Sequence, residues 1–297
     1  MTIFLQQLVN GLTLGSVYAL VALGFTMIFG VLEVIAFAQG GVYMIGAYTG
    51  LALVYLTGDM GWLLNLILAA TGAAITGALL NVAIDRIAYR PIRGRGRLAP
   101  LISGIGMYMF LENGIGLWVG RQVQVFPQVL PATTYSISGI HLTSAQFVII
   151  AVALLCMIAL WCLVSRTESG LTMRAVAERP ETSSLMGIEP ERVIVLTFLV
   201  AGALSGVGGV LVAGFVGVVS PSMGFLVGIK AFAAAIIAGV GNIPGALVGG
   251  LIVGLTETLG AGYISSAWSD ALVFAMLILV LIFRPHGVLG VRLPQRA

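Results

Sequence analysis

Long apolar runs alternate with short polar ones along this chain, and the runs are of membrane length. Residues 5–29, 33–56, 62–84, 98–119, 146–165, 193–219 and 268–283 are dominated by aliphatic, aromatic and small side chains. Several of them exceed the roughly 20 residues that a helix needs to cross a bilayer core. The strand-like alternation of a membrane barrel is absent. The pattern predicts an all-α fold, a polytopic transmembrane helical bundle forming one domain over residues 1–297.

Two stretches depart from one run, one helix. Between the first two runs, Glu33, Gln39 and the Gly40-Gly41 pair interrupt the apolar sequence, which predicts a broken helix over 30–40. The stretch 226–260 is too long for one crossing and too short for two comfortable ones. It carries Gly239-Val240-Gly241-Asn242-Ile243-Pro244-Gly245 near its middle, small residues and a Pro that permit a tight return. A re-entrant or short-helix hairpin over 226–260 is therefore predicted, with a kinked single helix followed by a loop as the competing reading. Non-helical backbone at membrane depth persists only where protein or water surrounds it, so Asn242 and this turn are candidate pathway elements.

The block 166–192, RTESGLTMRAVAERPETSSLMGIEPER, is the one sizeable stretch that water would welcome. Leu171, Ala175 and Glu178 share one helical stripe, Pro180 and Pro190 suit first helical turns, and Gly187 suits a helix end. These signals predict short helices over about 170–178 and 180–186, with a third helix starting near Pro190. A solvated connector would not need such internal order.

Composition sharpens the class. Hydrophobic residues make up 59% of the chain and charged ones 8%, against about 25% charged in ordinary soluble domains. The 40 glycines predict close backbone approach between helices, with Gly46/Gly50, Gly202/Gly206 and Gly245/Gly249 at the four-residue spacing that such packing favours. The net charge of +3 comes from Arg-rich loops and forms no stripe for nucleic acid, so its use is to fix orientation. Arg86, Arg90, Arg93, Arg95 and Arg97 follow one another closely and belong on the cytoplasmic side. Counting from that anchor puts the N-terminus and the 121–144 segment outside. The 166–192 block and the C-terminal Arg284, Arg292 and Arg296 then fall inside. No basic start precedes the first apolar run, so the first helix is expected to remain rather than be cleaved.

Candidate chemistry is sparse. Ionisable groups at membrane depth are costly and face protein or water when they persist, which singles out Glu33, Glu112 with its neighbour Asn113, Lys230 and Glu257. Lys230 and Glu257 lie about 18 and 21 Å from the hairpin turn at 1.5 Å per residue, and this near-equal depth predicts an ion pair across the hairpin. The alternative is that each reaches outer-surface water separately. Asp270 falls near the outer surface and needs no explanation. Cys156 and Cys162 are six residues apart on one predicted helix, not stacked on one face, and make neither a disulfide nor a metal pair. No H-E-x-x-H, Ser/His/Asp grouping or metal-ligand cluster occurs, and no G-x-x-x-x-G-K-[ST] is present. No cofactor, metal or catalytic site is expected, and ATP hydrolysis, where transport needs it, falls to another chain.

Specific motifs carry a resemblance. Gly30-Val31-Leu32 through Phe37-Ala38-Gln39-Gly40 resembles a "G-V-x-x-x-N-F-A-H-G" junction, with Ala36 where Asn is usual and Gln39 where His is usual. The 170–192 loop resembles a "G-x-x-M-R-A-V-A…G-I…R-V" segment at Met173, Arg174, Ala175, Val176 and Ala177, at Gly187 and Ile188, and at Arg192-Val193. Lys230-Ala231-Phe232, Gly239-Val240-Gly241, Gly245-Ala246 and Glu257 follow a third pattern, and Arg284-Pro285-His286-Gly287 a fourth. End to end, the chain resembles the permease subunits of the branched-chain amino-acid ABC importers. The resemblance implies a complex with a second permease subunit, two cytoplasmic ATPase subunits and an extracytoplasmic solute-binding protein, set in a bacterial-type inner membrane. It implies that the loop residues, with Leu171, dock an ATPase. Cargo stays open among branched-chain and other amino acids, urea, short amides and simple sugars. A self-sufficient secondary transporter or channel is the rival class.

Overall fold

A computed structural model describes residues 2–58, 61–93, 96, 98–131, 133–137, 140–239, 241–284 and 287–289. Arg95, Arg97, Val240, Pro285, His286, Arg292 and Arg296, named above, lie outside the described residues. The helices are α1 (Thr2–Leu32), α2 (Gln39–Thr57), α3 (Trp62–Ile84), α4 (Leu98–Trp118), α5 (Ser144–Arg166), α6 (Glu168–Glu178), α7 (Pro180–Leu185), α8 (Pro190–Val216), α9 (Met223–Ala238), α10 (Ile243–Tyr263) and α11 (Ser269–Phe283). Seven helical stretches among the described residues are long and apolar enough to cross a membrane. The chain is a multi-pass membrane protein.

Its helices are apolar nearly all round, so polarity cannot tell each one which way to face; side-chain size does. Without a water-driven hydrophobic effect, membrane helices associate through close packing and interhelical hydrogen bonds. Small residues mark the contacts here. A Cβ on Gly206 of α8 would overlap the Ala73 carbonyl of α3, while Gly46 of α2 approaches the Gly206 backbone from another side. Gly254 of α10 lies against the backbone of Gly15 in α1 in the same way. Asn81 Nδ2 adds a 2.8 Å hydrogen bond from α3 to the Phe198 carbonyl of α8. The result is an inner set, α1, α2, α8 and α10, buried over much of their length, with α3, α5 and α11 around it far more exposed.

The 226–260 stretch is a hairpin of two helices, α9 and α10, not one kinked helix, and α10 is itself long enough to cross. Its turn reaches the end of the bundle where α1 stops, with Gly241 beside Gly30. The chain beyond α11 returns to this turn. Val288 N–H donates to the Ile237 carbonyl at 2.8 Å and Leu289 N–H to the Ala238 carbonyl at 3.0 Å, so the last carbonyls of α9 find donors outside the helix. Gly287, at φ 79°, packs so tightly on Gly239 that no side chain fits.

The opposite end holds an addition to the all-helical reading. In the 121–144 segment and after α8, short strands form two antiparallel ribbons, β1 (Gln124–Val125) with β4 (Val218–Val219) and β2 (Thr134–Ile137) with β3 (Ile140–Thr143). Phe126, Val129 and Leu130 of this segment are buried. Gln6 exchanges hydrogen bonds of 2.9 and 3.0 Å with the His141 backbone, which anchors the second ribbon to the start of α1.

Candidate coupling loop and translocation elements

The 166–192 loop folds as its backbone signals dictate. Thr167 caps α6, its Oγ1 accepting from Gly170 N at 3.1 Å. Pro180 opens α7, and Gly187 turns the chain at φ 82°. Met173 and Val176, one turn apart and 2% and 1% exposed, fasten α6 to the bundle, where it packs on α5 and α1. Gly170 fits against the Leu163 and Val164 carbonyls at the end of α5. The Arg174 guanidinium donates to the Val164 carbonyl, one of the groups that the helix itself leaves unpaired. The eight residues drawn from the loop motif thus divide. Met173 and Val176 hold the loop, Ile188 packs partly on the core, and Ala175 and Ala177 are half-buried, whereas Leu171, Arg174 and Gly187 are exposed. Leu185 and Met186, 86% and 80% exposed, form an apolar tip that the sequence reading missed. Its signal was two large apolar residues beside Gly187 in an otherwise polar block.

At the same end of the bundle, residues 33–38 leave the helical conformation between α1 and α2. Glu33 is exposed there and takes φ 55°. Gln39 also sits at this break. It is fully buried, and its Nε2 donates to the Ala201 carbonyl at 2.7 Å and to Ser205 Oγ at 2.6 Å, fixing the start of α2 to α8. Asn242 likewise serves a helix end: its Oδ1 accepts from Gly245 N at 3.2 Å and its Nδ2 donates to the Leu289 carbonyl at 2.8 Å. Asn113 is exposed and closes α4, donating to the Met109 carbonyl at 2.8 Å and accepting from Arg121 at 2.9 Å. Glu112 is half-buried on the same helix.

The break faces an aromatic seam. The ring centroids of Phe37 and Phe232 lie 5.3 Å apart and those of Phe232 and Phe25 5.9 Å. On one side is a shallow cleft lined by Phe37, Ile105, Tyr108, Gly224, Phe225, Gly228 and Ile229. On the other is a second that includes Phe29, Val34 and Ile35. Both are narrow and almost wholly apolar.

Toward the ribbon end, Lys230 Nζ of α9 lies 2.8 Å from Glu257 Oε1 of α10 and 2.6 Å from Asp270 Oδ1 of α11, with the Tyr18 ring of α1 at 5.9 Å. Asp270, which the sequence reading left without a partner, completes a triad joining three helices. The reason is packing: α11 turns its first residues onto the hairpin, so a carboxylate near the surface reaches a buried ammonium.

Comparison with known proteins fits this architecture. A family described as "Branched-chain amino acid transport system / permease component" matches residues 7–281. The high-affinity branched-chain amino acid transport system permease protein BraD of Pseudomonas aeruginosa is 42% identical over 97% of this chain and 96% of its own length. LivH of Escherichia coli K12, described in the same words, is 43% identical with the same coverage. LivM of that organism, a second such permease, is 24% identical over 95% of this chain and 70% of its own length. Among solved structures, an inward-facing conformation of a metal-chelate type ABC transporter superposes with a TM-score of 0.52 at 15% identity, covering 95% of this chain and 88% of that one, a likeness of fold alone. Matched by the family almost from end to end, and by two relatives over nearly their whole length, this chain belongs to the permease components of branched-chain amino acid transport systems.

Proposed function

We propose that this chain forms one wall of the translocation path of an ABC importer for branched-chain amino acids. A second permease chain of the LivM kind forms the other wall. One of two ATPase subunits grips the 166–192 loop, and an extracytoplasmic binding protein delivers the solute. The observation that carries this reading is the loop itself. Met173 and Val176 lock α6 onto the bundle, while Leu171, Leu185 and Met186 remain exposed outside the bilayer-length helices. Apolar residues on a fixed helical support are what a partner's groove takes up. When the ATPases close on ATP, a loop so fastened moves α5, α1 and α8 with it, and the aromatic clefts open or seal.

Ala175 lies on the α6 stripe beside Leu171. Ala175→Glu is expected to lower ATP-driven leucine uptake at least about tenfold, as charge at the centre of an interface does, with membrane insertion intact. Co-purification of two ATPases and a sister permease with the unaltered chain is the companion result. Uptake unchanged by the substitution would remove the loop from the mechanism, and leucine uptake by this chain alone in liposomes would replace the importer with a self-sufficient transporter.

The same reading puts the loop end inside and the ribbon end outside, because Arg86, Arg90, Arg93, Arg166, Arg174, Arg179 and Arg192 gather at the former. With Cys156 and Cys162 replaced by Ala, a membrane-impermeant thiol reagent on intact cells is expected to label Tyr135→Cys and not Ser184→Cys, both positions being exposed. The reverse labelling pattern would invert the orientation.

A further inference from the structure

Beyond α3 the chain does not stop cleanly. It continues as a π-helical turn, Asp85–Tyr89, and a 3₁₀ turn, Arg90–Ile92. Irregular turns of this sort have weaker hydrogen-bond geometry and often mark functional hinges. Asp85 is 1% exposed, and a carboxylate so placed needs a cation. Arg93 supplies it, one guanidinium nitrogen on Asp85 and the other 3.0 Å from Glu191 Oε1. Arg90 Nε reaches the second oxygen of Glu191 at 3.3 Å. Glu191 stands in the first turn of α8, at the C-terminal end of the loop assigned to the ATPases.

The far side of this segment packs on α8 and α4. The Tyr89 ring packs on Phe198 of α8 at 5.8 Å. Ser103 of α4 donates to the Ala88 carbonyl at 3.0 Å, and the Tyr89 hydroxyl sits so close to Gly104 that a Cβ there would overlap it. Next along α4, Ile105 and, one turn on, Tyr108 line the Phe37 cleft. A contiguous set of charged and packed groups therefore runs from the end of the coupling loop to the cleft, and energetic coupling between distant sites needs such physical contact.

We infer that Arg93 and Glu191 are positioning residues that carry the displacement of the coupling loop through the 85–92 segment into α4 and the apolar cleft. This inference rests on the reading of 166–192 as the ATPase-docking loop. A mere fold brace would stabilise the bundle without setting how much solute moves per ATP, and that separates the two roles.

The test uses the assembled importer in proteoliposomes. Glu191→Gln leaves the Asp85–Arg93 contact whole, so folding is not at stake. Leucine taken up per ATP hydrolysed is expected to fall about tenfold, a typical size for a severed coupling contact, with the ATPase rate within about twofold of its original value. Glu191→Asp is expected to recover most of the loss. An unaltered ratio in Glu191→Gln, or no recovery in Glu191→Asp, overturns the inference. A second readout needs no cargo. With native cysteines replaced, ATP is expected to change the rate at which Ile105→Cys reacts with a thiol reagent, and Glu191→Gln to abolish that change. Persistence of the ATP effect in Glu191→Gln overturns the relay, whereas an assembly that shows the effect but takes up no leucine counts against the cargo alone.

Discussion

Gly206→Leu is expected to leave no folded permease to extract from the membrane. At this position three helices meet. The added Cβ would overlap the Ala73 carbonyl of α3, and Gly46 of α2 presses on the Gly206 backbone from another direction. A flexible side chain could swing away, but backbone on both sides cannot, so α3 or α2 must be displaced along a seam. Overfilling an ordinary core costs about 1–3 kcal/mol, and a forced helix separation also forfeits the close packing that holds membrane helices together. The profile of detergent-extracted protein on size exclusion should lose its single peak. Gly106→Leu is the control, because Gly106 of α4 has no heavy atom within 4 Å where a Cβ would go, and the isolated chain should keep its fold. A Gly206→Leu protein with the original profile and unfolding midpoint would mean that the seam is not close-packed.

Lys230→Met has the second largest expected effect, because it strands two carboxylates. Glu257 is mostly buried, while Asp270, 42% exposed, can turn to solvent. Removing one partner of a buried pair costs about 3–5 kcal/mol, and here the cost falls chiefly on Glu257. Glu257→Gln should be milder, since Lys230 keeps Asp270. The double variant Lys230→Met/Glu257→Gln should be no worse than Lys230→Met alone. Thermal unfolding of the four proteins closes the cycle, and strictly additive losses would mean that the two groups do not meet.

What could be read from the sequence follows from the range over which each signal acts. Pro180, Pro190 and Gly187 constrain their own φ and a neighbour or two, so the α6, α7 and α8 boundaries were visible locally. Lys230 and Glu257 were placed at matching depth because helical rise is fixed and both limbs start from one turn. Asp270 enters from a third helix whose docking no local rule determines. Gln39 and Asn242 show the complementary limit. A polar side chain in an apolar run asks for a partner, yet its type does not say whether water, solute or backbone answers, and here backbone and a serine hydroxyl do. The β1–β4 ribbon joins residues near 125 and 218, and the Arg93–Glu191 contact spans 98 positions. Pairings so distant leave no periodic trace in either segment.

The return of residues 287–289 beneath the α9–α10 turn bears on how the chain is made. Synthesis runs from the N-terminus and segments fold as they emerge, so α9 and α10 leave the ribosome before Val288 and Leu289 do. Until then the Ile237 and Ala238 carbonyls lack the donors that later satisfy them, and Asn242 lacks its acceptor on Leu289. A chain that has emerged as far as Phe283 already holds every membrane-length helix of the described residues, yet its hairpin turn stays unsealed. Final closure of this permease is therefore a step that follows insertion, performed by a few residues that never enter the bilayer-length helices.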